Sequence, residues 1–369
     1  MSSAQIEIQL IASVVAAACA IPGVFLILRR MALMSDAISH AILLGIVVAF
    51  FIVKDLASPI LMVAAALTGI LTVALVEVIS KTKLVKEDAA LGLVFPVLFS
   101  IGVILISRYA GNVHLDADSV LLGELAFAPF NRLEISGIDI GPKSLYVMGG
   151  ILVINIVFIT VFFKELKLAT FDAGLATILG FMPVTLHYAL MGLISLTAVG
   201  AFDAVGSILV VALMIAPPAT AYLLTDSLAR MLIYSGLLAI VSAIGGYWLA
   251  HGLDASIAGS MATMTGIVFL LVFLFTPSRG LIAIARRRHE QKFEFAMTSL
   301  LIHLAQHEKE PDAAWECNEA HLEAHFRWES EFADRIIRKA EKEGFITKIE
   351  DLLALTTEGR SDAQKAIVR

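Results

Sequence analysis

The stretch MALMSDAISHAILLGIVVAFFIV, residues 31–53, joins two candidate cation ligands to an apolar run long enough to cross a membrane. Asp36 and His40 stand four residues apart near its start, and on a helix this spacing places both side chains on one face. A carboxylate oxygen and an imidazole nitrogen suit Mn²⁺, Fe²⁺ or Zn²⁺. A charged side chain costs about 2.5–3.5 kcal/mol at the centre of a membrane helix. The pair therefore predicts part of a path for a divalent cation.

The composition of the whole chain agrees with a membrane protein. Of 369 residues, 59% are hydrophobic and only 16% are charged, where a soluble domain has about 25% charged residues. The mean hydropathy is +0.86. We predict an all-α polytopic membrane protein with about nine apolar segments, near 9–28, 36–53, 58–80, 89–107, 145–163, 182–202, 205–224, 229–250 and 256–276. Pro217-Pro218 predicts a break in the seventh segment.

Basic residues in the short loops predict the orientation in the membrane. One set of loops carries 12 Lys and Arg residues and the alternate set carries 4. The richer set is expected in the cytoplasm, which puts the loop 108–144 outside and the tail inside. No removable signal peptide is expected at residues 1–10, so the first segment should remain as a span. His114, Asp116 and Asp118 in the outer loop are interpreted as solvated residues.

The cytoplasmic loop 164–181 predicts a short helix that Asp172 caps and Gly180 ends. Taken alone, its residues favour an ordinary connector over a docking element for another protein. Asp203 precedes the seventh segment near the outer surface. A solvated loop carboxylate and a place on the cation path explain Asp203 equally well.

Two further polar residues lie in the apolar segments. Glu77 is expected to snorkel or to pair with a neighbouring lysine, and His187 is expected to be a packing or interfacial histidine. Soft sulfur ligands are scarce in the spans apart from Cys19 and scattered methionines, which disfavours a path for copper(I).

Three stretches together resemble the integral membrane permeases of the manganese, zinc and iron ABC importers. They are residues 29–41, 171–180 and 205–221, and the resemblance covers about residues 8–285. It implies a multi-pass permease of the bacterial inner membrane that moves Mn²⁺, Zn²⁺ or Fe²⁺ as cargo and holds no permanent cofactor. The implied partners are an extracytoplasmic metal-binding protein, two cytoplasmic ATPase subunits, membrane lipid, and a second permease copy or a sibling permease.

The same resemblance assigns roles to particular residues. It implies a metal path along Asp36 and His40, and we add Asp203 as a candidate residue of the same path. It implies contact with the ATPase through the segment that contains Phe171, Asp172, Ala173, Ala176 and Gly180. No Gly-x-x-x-x-Gly-Lys-Ser/Thr loop occurs in the sequence, so the chain is not expected to be an enzyme that hydrolyses ATP by that route.

Two other functions remain open. The chain could be a membrane-tethered, metal-responsive transcriptional regulator, in which the spans sense metal and the tail reads DNA. It could also be a proton-coupled carrier, although the few carboxylates within the apolar segments weaken this hypothesis.

We predict that residues 1–285 form the permease domain and residues 286–369 a small α+β cytoplasmic domain. Helical periodicity is visible at 290–307 and 331–343. The order of the segments is typical of a winged helix. The tail resembles the DNA-binding domain of iron- and manganese-dependent repressors, especially at 343–345 and 355–363.

The charge of the tail argues against nucleic acid as a partner. Arg335, Arg338, Lys339 and Lys342 fall on one face of a predicted helix, as in a recognition helix. However, the tail carries 14 basic and 17 acidic residues, and affinity for DNA depends largely on neutralising phosphates. A regulatory or assembly domain is the preferred interpretation.

Cys317, His321 and His325 stand at i, i+4 and i+8 in the tail, on one face if the segment is helical. A thiolate with two imidazoles is a credible zinc or iron site, suited to sensing metal in the cytoplasm. An exposed helix that merely carries histidines is the alternative, and the short pattern favours it.

Overall fold

A computed structural model describes residues 3–55, 58–109, 125–135, 138–349 and 351–368. The chain divides into two compact units, Met1–Thr276 and Pro277–Arg369. This division precedes the predicted boundary at residue 285, because the helix Leu281–His307 belongs entirely to the second unit. The outer-loop cluster of His114, Asp116 and Asp118 lies outside the described residues.

Helices dominate the membrane unit, since a backbone in hydrocarbon must satisfy its own hydrogen bonds. In chain order its elements are α1 (Ser3–Leu28), α2 (Leu33–Val53), α3 (Pro59–Lys81), α4 (Glu87–Tyr109), the antiparallel strands β1 (Arg132–Ile135) and β2 (Ile138–Pro142), α5 (Lys143–Val161), α6 (Phe163–Phe171), α7 (Ala173–Ile178), α8 (Pro183–Val205), α9 (Ser207–Leu224), α10 (Leu228–Leu253) and α11 (Ile257–Phe275). Among the described helices, nine are long and apolar enough to cross a membrane, as predicted; α6 and α7 are not among them.

The sixth and seventh spans meet at a sharp turn rather than at a broken helix. Gly206 ends α8 with a φ of 81°, a left-handed conformation that glycine adopts without strain. The predicted break at Pro217-Pro218 is wrong, because α9 continues through both prolines. Pro218 has no N–H to offer the Met214 carbonyl, and that carbonyl faces α1 at Gly23, where a Cβ would lie only 2.2 Å away. Close packing on a glycine thus accommodates the proline pair.

The first span, α1, lies at the centre of the unit and packs against α5, α8, α9 and α10. Pro22 in this helix leaves the Ala18 carbonyl without its usual helical donor. Asn155 Nδ2 on α5 donates to that carbonyl at 2.9 Å and to Thr197 Oγ1 on α8 at 3.0 Å. Asn155 and Thr197 are both fully buried, so one amide joins three helices in the core.

The second unit contains α12 (Leu281–His307), α13 (Ala313–Glu316), α14 (Glu319–Phe326), α15 (Ser330–Lys342), the antiparallel hairpin of β3 (Ile346–Ile349) and β4 (Leu352–Leu355), and α16 (Thr357–Val368). The helices predicted at 290–307 and 331–343 are present within α12 and α15. The chain turns between α13 and α14 and pairs there with the hairpin: Leu353 N donates to Cys317 O at 3.0 Å, and Asn318 forms an isolated bridge with Leu352.

This unit has an apolar core of its own. One face of α15 buries Ala333, Ile336, Ile337 and Ala340, the spacing expected of an amphipathic helix. These side chains pack with apolar residues of α12 and the hairpin. On the surface, Arg360 donates to both carboxylate oxygens of Glu308 and links α16 to the end of α12.

Replacing Asn155 by leucine is expected to lower the thermal midpoint of the purified protein in detergent. The buried Ala18 carbonyl and Thr197 hydroxyl each lose a partner, a loss that costs about 1–3 kcal/mol. Thr160→Val on the same helix is the control, because the exposed Thr160 hydroxyl bonds only to carbonyls of its own turn. Equal midpoints for the two variants would contradict the role given to Asn155.

Candidate metal path and coupling surface

Asp36 and His40 lie together on α2, as predicted. Asp36 Oδ1 is 3.5 Å from His40 Nε2, and the two side chains are 42% and 30% exposed. The residues between them on the helix are buried. The His40 ring stacks on Phe95 with a centroid distance of 5.9 Å and meets the edge of Phe99 at 6.0 Å, both on α4. The pair therefore presents one oxygen and one nitrogen on a shared accessible face.

The pair lies at the middle height of the neighbouring helices rather than at their ends. Ile38, between Asp36 and His40, contacts Gly69 on α3, where a Cβ would lie 3.1 Å from Ile38 Cγ2. Gly69 is about 15–18 Å from either end of α3. Ser195, near the middle of α8, donates from Oγ to Ala66 O at 3.0 Å at the same level. In its own helix the pair lies near the start, as the sequence predicts, because Asp36 is in the first turn of α2. Its height relative to α3 and α8 was not evident from the sequence.

Asp203, the third predicted ligand, stands apart from the pair. It lies in the last turn of α8 and is exposed. The eight residues from Ser195 to Asp203 span about 12 Å of helix. Within the described residues no ion pair joins Asp203 to His40. The structure thus brings two of the three predicted path residues together.

A polar network joins the ends of α3 and α8. Glu77 Oε1 on α3 lies 2.6 Å from His187 Nε2 on α8, and both side chains are mostly buried. Glu77 Oε2 accepts from Tyr188 OH at 3.1 Å and from Lys81 Nζ at 2.9 Å. The expected pairing of Glu77 with a neighbouring lysine is therefore confirmed, but the sequence interpretation missed its contact with His187.

The same network extends to α1 and α6 through Arg29, which follows α1 directly. Its Nη1 lies 2.9 Å from His187 Nδ1, and its Nε donates to Thr170 Oγ1 at 3.2 Å. A guanidinium can only donate, so Nδ1 accepts and the ring carries its proton on Nε2, beside Glu77. The sequence contains one indication of this contact. The orientation predicted from the loop charges places Arg29, Glu77 and His187 near the same side of the membrane.

The segment 171–180 forms the predicted short helix. Asp172 Oδ1 accepts from Leu175 N at 2.8 Å, which caps α7, and Gly180 follows the helix with a φ of 84°. Ala176 is buried, whereas Ala173 and the other residues of the segment are exposed. Its large apolar side chains form an uncovered patch, which comprises Phe171, Leu175, Ile178 and Leu179. A patch of this kind is typical of a protein interface.

A family model described as the ABC 3 transport family matches residues 4–276. The chain belongs to the ABC 3 transport family. It is 48% identical over 358 residues to the zinc transport system membrane protein TroD of Treponema pallidum, with 97% of each chain covered. It is 49% identical over 268 residues to the manganese transport system membrane protein MntD of Bacillus subtilis, covering 73% of this chain and 90% of that protein.

A solved structure, PsaBC from Streptococcus pneumoniae in complex with Fab, is similar to this ABC 3 chain with a TM-score of 0.63 and 28% identity. The similarity covers 75% of this chain and 94% of the solved one. The ABC 3 family model ends at residue 276, where the first unit ends. The similarity to TroD extends through the tail as well, because it covers nearly the whole chain.

The tail of this ABC 3 protein does not align the predicted ligands Cys317, His321 and His325 on one helix. The segment is divided between α13 and α14, and Cys317 lies in the turn between them. Its side chain is 5% exposed and belongs to the apolar core, and burial raises the pKa of the thiol. His325 is exposed, and its ring centroid is 5.6 Å from that of His321.

His303 and Glu316 lie beside His321 instead. Among the described residues, these three form the one group of His, Cys, Asp or Glu side chains with donor atoms close enough to hold a metal. His303 is 6% exposed, and burial lowers the pKa of its imidazole. Sequence inspection missed His303 and Glu316 because they come from different elements than His321.

Glu77→Gln is expected to lower the thermal midpoint of the purified protein. The change removes the carboxylate that faces His187, the residue that Arg29 contacts, and this loss costs about 1–3 kcal/mol. In a double-mutant cycle with His187→Ala, the two changes should couple by about 0.5–3 kcal/mol. Lys81→Ala is the control and should have a much smaller effect, because Lys81 is 73% exposed. Strictly additive effects of the two changes would refute the network.

Proposed function

We propose that this chain is the permease subunit of an ATP-driven importer of a divalent transition-metal ion, Mn²⁺, Zn²⁺ or Fe²⁺. The observation that carries the proposal is the Asp36–His40 pair, which lies level with the middle of α3 in a member of the ABC 3 transport family. TroD and MntD are named as zinc and manganese transport proteins, which supports the same cargo class. The relatives are named as transport membrane proteins, so we assign ATP hydrolysis to a separate subunit.

The proposed path uses Asp36 and His40 as transient ligands. A carboxylate offsets part of the charge of the ion, and a neutral imidazole adds a nitrogen donor without adding charge. Phe95 and Phe99 hold the ring of His40 at the accessible face. Two ligands leave further coordination positions to water or to a second permease chain, which favours passage over tight retention. Asp203, about 12 Å further along α8, would offer a carboxylate earlier on the path.

We assign ATPase coupling to the segment with Phe171, Asp172, Ala173, Ala176 and Gly180. Its exposed apolar patch supports a protein partner there. The adjoining Thr170 contacts Arg29, and the contacts continue through His187 to Glu77 on α3.

The helix α3 then connects this network to the proposed path. Glu77 and Gly69 are eight residues apart on α3, about 12 Å along its axis. Gly69 packs against Ile38, between the two proposed ligands. A displacement of the coupling segment would therefore reach the Asp36–His40 pair through one rigid helix and a short chain of polar contacts.

The remaining partners follow from this role. We propose that an extracytoplasmic metal-binding protein delivers the ion and that the permease acts as a pair, with a second copy or a sibling chain, in the bacterial inner membrane. The distribution of basic residues in the loops supports a cytoplasmic location for the coupling segment and the tail.

For the tail we propose a winged-helix-like domain with a regulatory or assembly role. Its order of helices followed by an antiparallel hairpin supports this fold. Three of the four basic residues on the predicted recognition face have acidic partners four residues away on α15 or at its C-cap, namely Arg335–Glu331, Arg338–Asp334 and Lys339–Glu343. These ion pairs, together with the acidic net charge, favour an assembly role over DNA reading.

Asp36→Asn and His40→Ala should each reduce uptake of radiolabelled metal by about tenfold or more in cells that carry the whole system, since each removes a ligand worth at least about 1.4 kcal/mol. Asp88→Asn, an exposed carboxylate in the first turn of α4, is the matched control. Surface expression of all three variants is measured in parallel. Normal uptake by both path variants would rule out the assigned path.

Phe171→Glu should abolish co-purification of the ATPase subunit, because a charge would be placed in the apolar contact. Phe171 is 63% exposed, so the fold should tolerate the change. Phe127→Glu is the control: Phe127 is 62% exposed and lies, by loop charge, on the opposite side of the membrane. Retention of the ATPase by the Phe171 variant would disprove docking at this segment.

A further inference from the structure

Three elements of the tail bring metal-ligating side chains to one point. His303 lies on α12, Glu316 ends α13, and His321 lies on α14. Glu316 Oε2 is 2.9 Å from His321 Nε2 and 3.5 Å from His303 Nε2. All three donor atoms lie within 4.8 Å of one another.

The two separations that involve Glu316 are close to those around a coordinated zinc ion. With metal–ligand distances of about 2.0–2.1 Å, the donors of a tetrahedral site lie about 3.3 Å apart. Two imidazoles and one carboxylate form a ligand set that zinc uses in proteins when a fourth position stays open. The donor atoms therefore need only small side-chain rotations to surround an ion.

Within the cluster, His303 Nε2 lies 3.2 Å from the backbone carbonyl oxygen of Glu316, whereas the hydrogen bonding of His321 is incomplete. His321 Nε2 is buried and, among the described residues, has no partner in hydrogen-bonding geometry, although the Glu316 carboxylate is close. Leaving a buried polar nitrogen unsatisfied is unfavourable. His303 is 6% exposed, and Glu316 and His321 are about one-fifth exposed, so an ion would be enclosed yet reachable from one side.

We propose that His303, Glu316 and His321 bind one divalent transition-metal ion, with Zn²⁺ as the preferred ligand, in a site separate from the proposed transport path. The site does not include Cys317, whose side chain points into the apolar core. His325 does not belong to this group of donor atoms, although its ring centroid lies 4.7 Å from that of His303, so the fourth position stays open. His307 is not part of the set, because its Nδ1 pairs with Glu310 at 2.6 Å.

The site connects the histidine-bearing helices to the hairpin. Cys317, next to Glu316, accepts a hydrogen bond from Leu353 on β4, and Glu319, two residues before His321, donates from its backbone to Asp351. An ion held by Glu316 and His321 would therefore fix the segment that pairs with the hairpin. Metal occupancy would thus be linked to the order of the tail.

The test is Co²⁺ titration of the full-length protein in detergent, followed by the visible absorption of four-coordinate cobalt and by competition with Zn²⁺. The unaltered chain should show one such site. Glu316→Gln, which preserves shape, and His321→Ala should each weaken it at least tenfold. Cys317→Ala and His307→Ala should leave affinity unchanged, and no thiolate-to-cobalt charge-transfer band should appear. Asp36→Ala should retain the tail signal.

Unchanged affinity in Glu316→Gln would overturn the proposal, and so would a thiolate band that Cys317→Ala removes. Because Glu316→Gln retains the side-chain volume, a loss of binding in this variant with an unchanged circular dichroism spectrum would report lost coordination rather than unfolding. Loss of the cobalt signal in Asp36→Ala alone would place the metal in the membrane unit and would equally refute a tail site.

Discussion

Within a bundle of apolar helices, a backbone carbonyl that a proline deprives of its helical donor must be accommodated by a neighbouring helix, and this constraint organises the membrane unit. Pro22 frees the Ala18 carbonyl in the central helix α1, and the Asn155 amide on α5 replaces the missing N–H while also reaching Thr197 on α8. Pro218 frees the Met214 carbonyl, and Gly23 allows it to pack against α1. These two contacts hold α5, α8 and α9 close to α1. The packing of these helices in turn sets the positions of the other polar groups along the membrane normal.

Against this rigid centre, polar side chains gather at two levels. At the end of α3, Arg29, His187 and Glu77 connect α1, α8 and the coupling segment, which carries an exposed apolar patch. At mid-height, Asp36 and His40 share an accessible face next to α4. The helix α3 passes both levels, so it links the proposed docking surface to the proposed ion path. The physical basis of the link is stiffness, because a hydrogen-bonded helix transmits displacement along its axis with little deformation.

The tail shows the opposite arrangement, since its polar cluster is assembled from segments that are far apart in the chain. A loop, the short helix α13 and a turn separate His303 from His321, and Glu316 ends the short helix. The interpretation built on Cys317, His321 and His325 assumed one continuous helix. The chain instead turns at Cys317, because that residue pairs its backbone with the hairpin and packs its side chain in the core.

The sequence by itself determined the number of spans, the α2 position of Asp36 and His40, the cap at Asp172 and the pairing of Glu77 with Lys81. Each depends on local periodicity or on residues within one helical turn, which a linear pattern records directly. Only the tertiary structure decided that α9 continues through its prolines, that the Asp36–His40 pair lies at mid-height, that His187 meets Arg29 and Glu77, and that His303 and Glu316 join His321. These outcomes depend on which helices pack together and at what height, and contacts between distant segments leave no periodic signal in the chain.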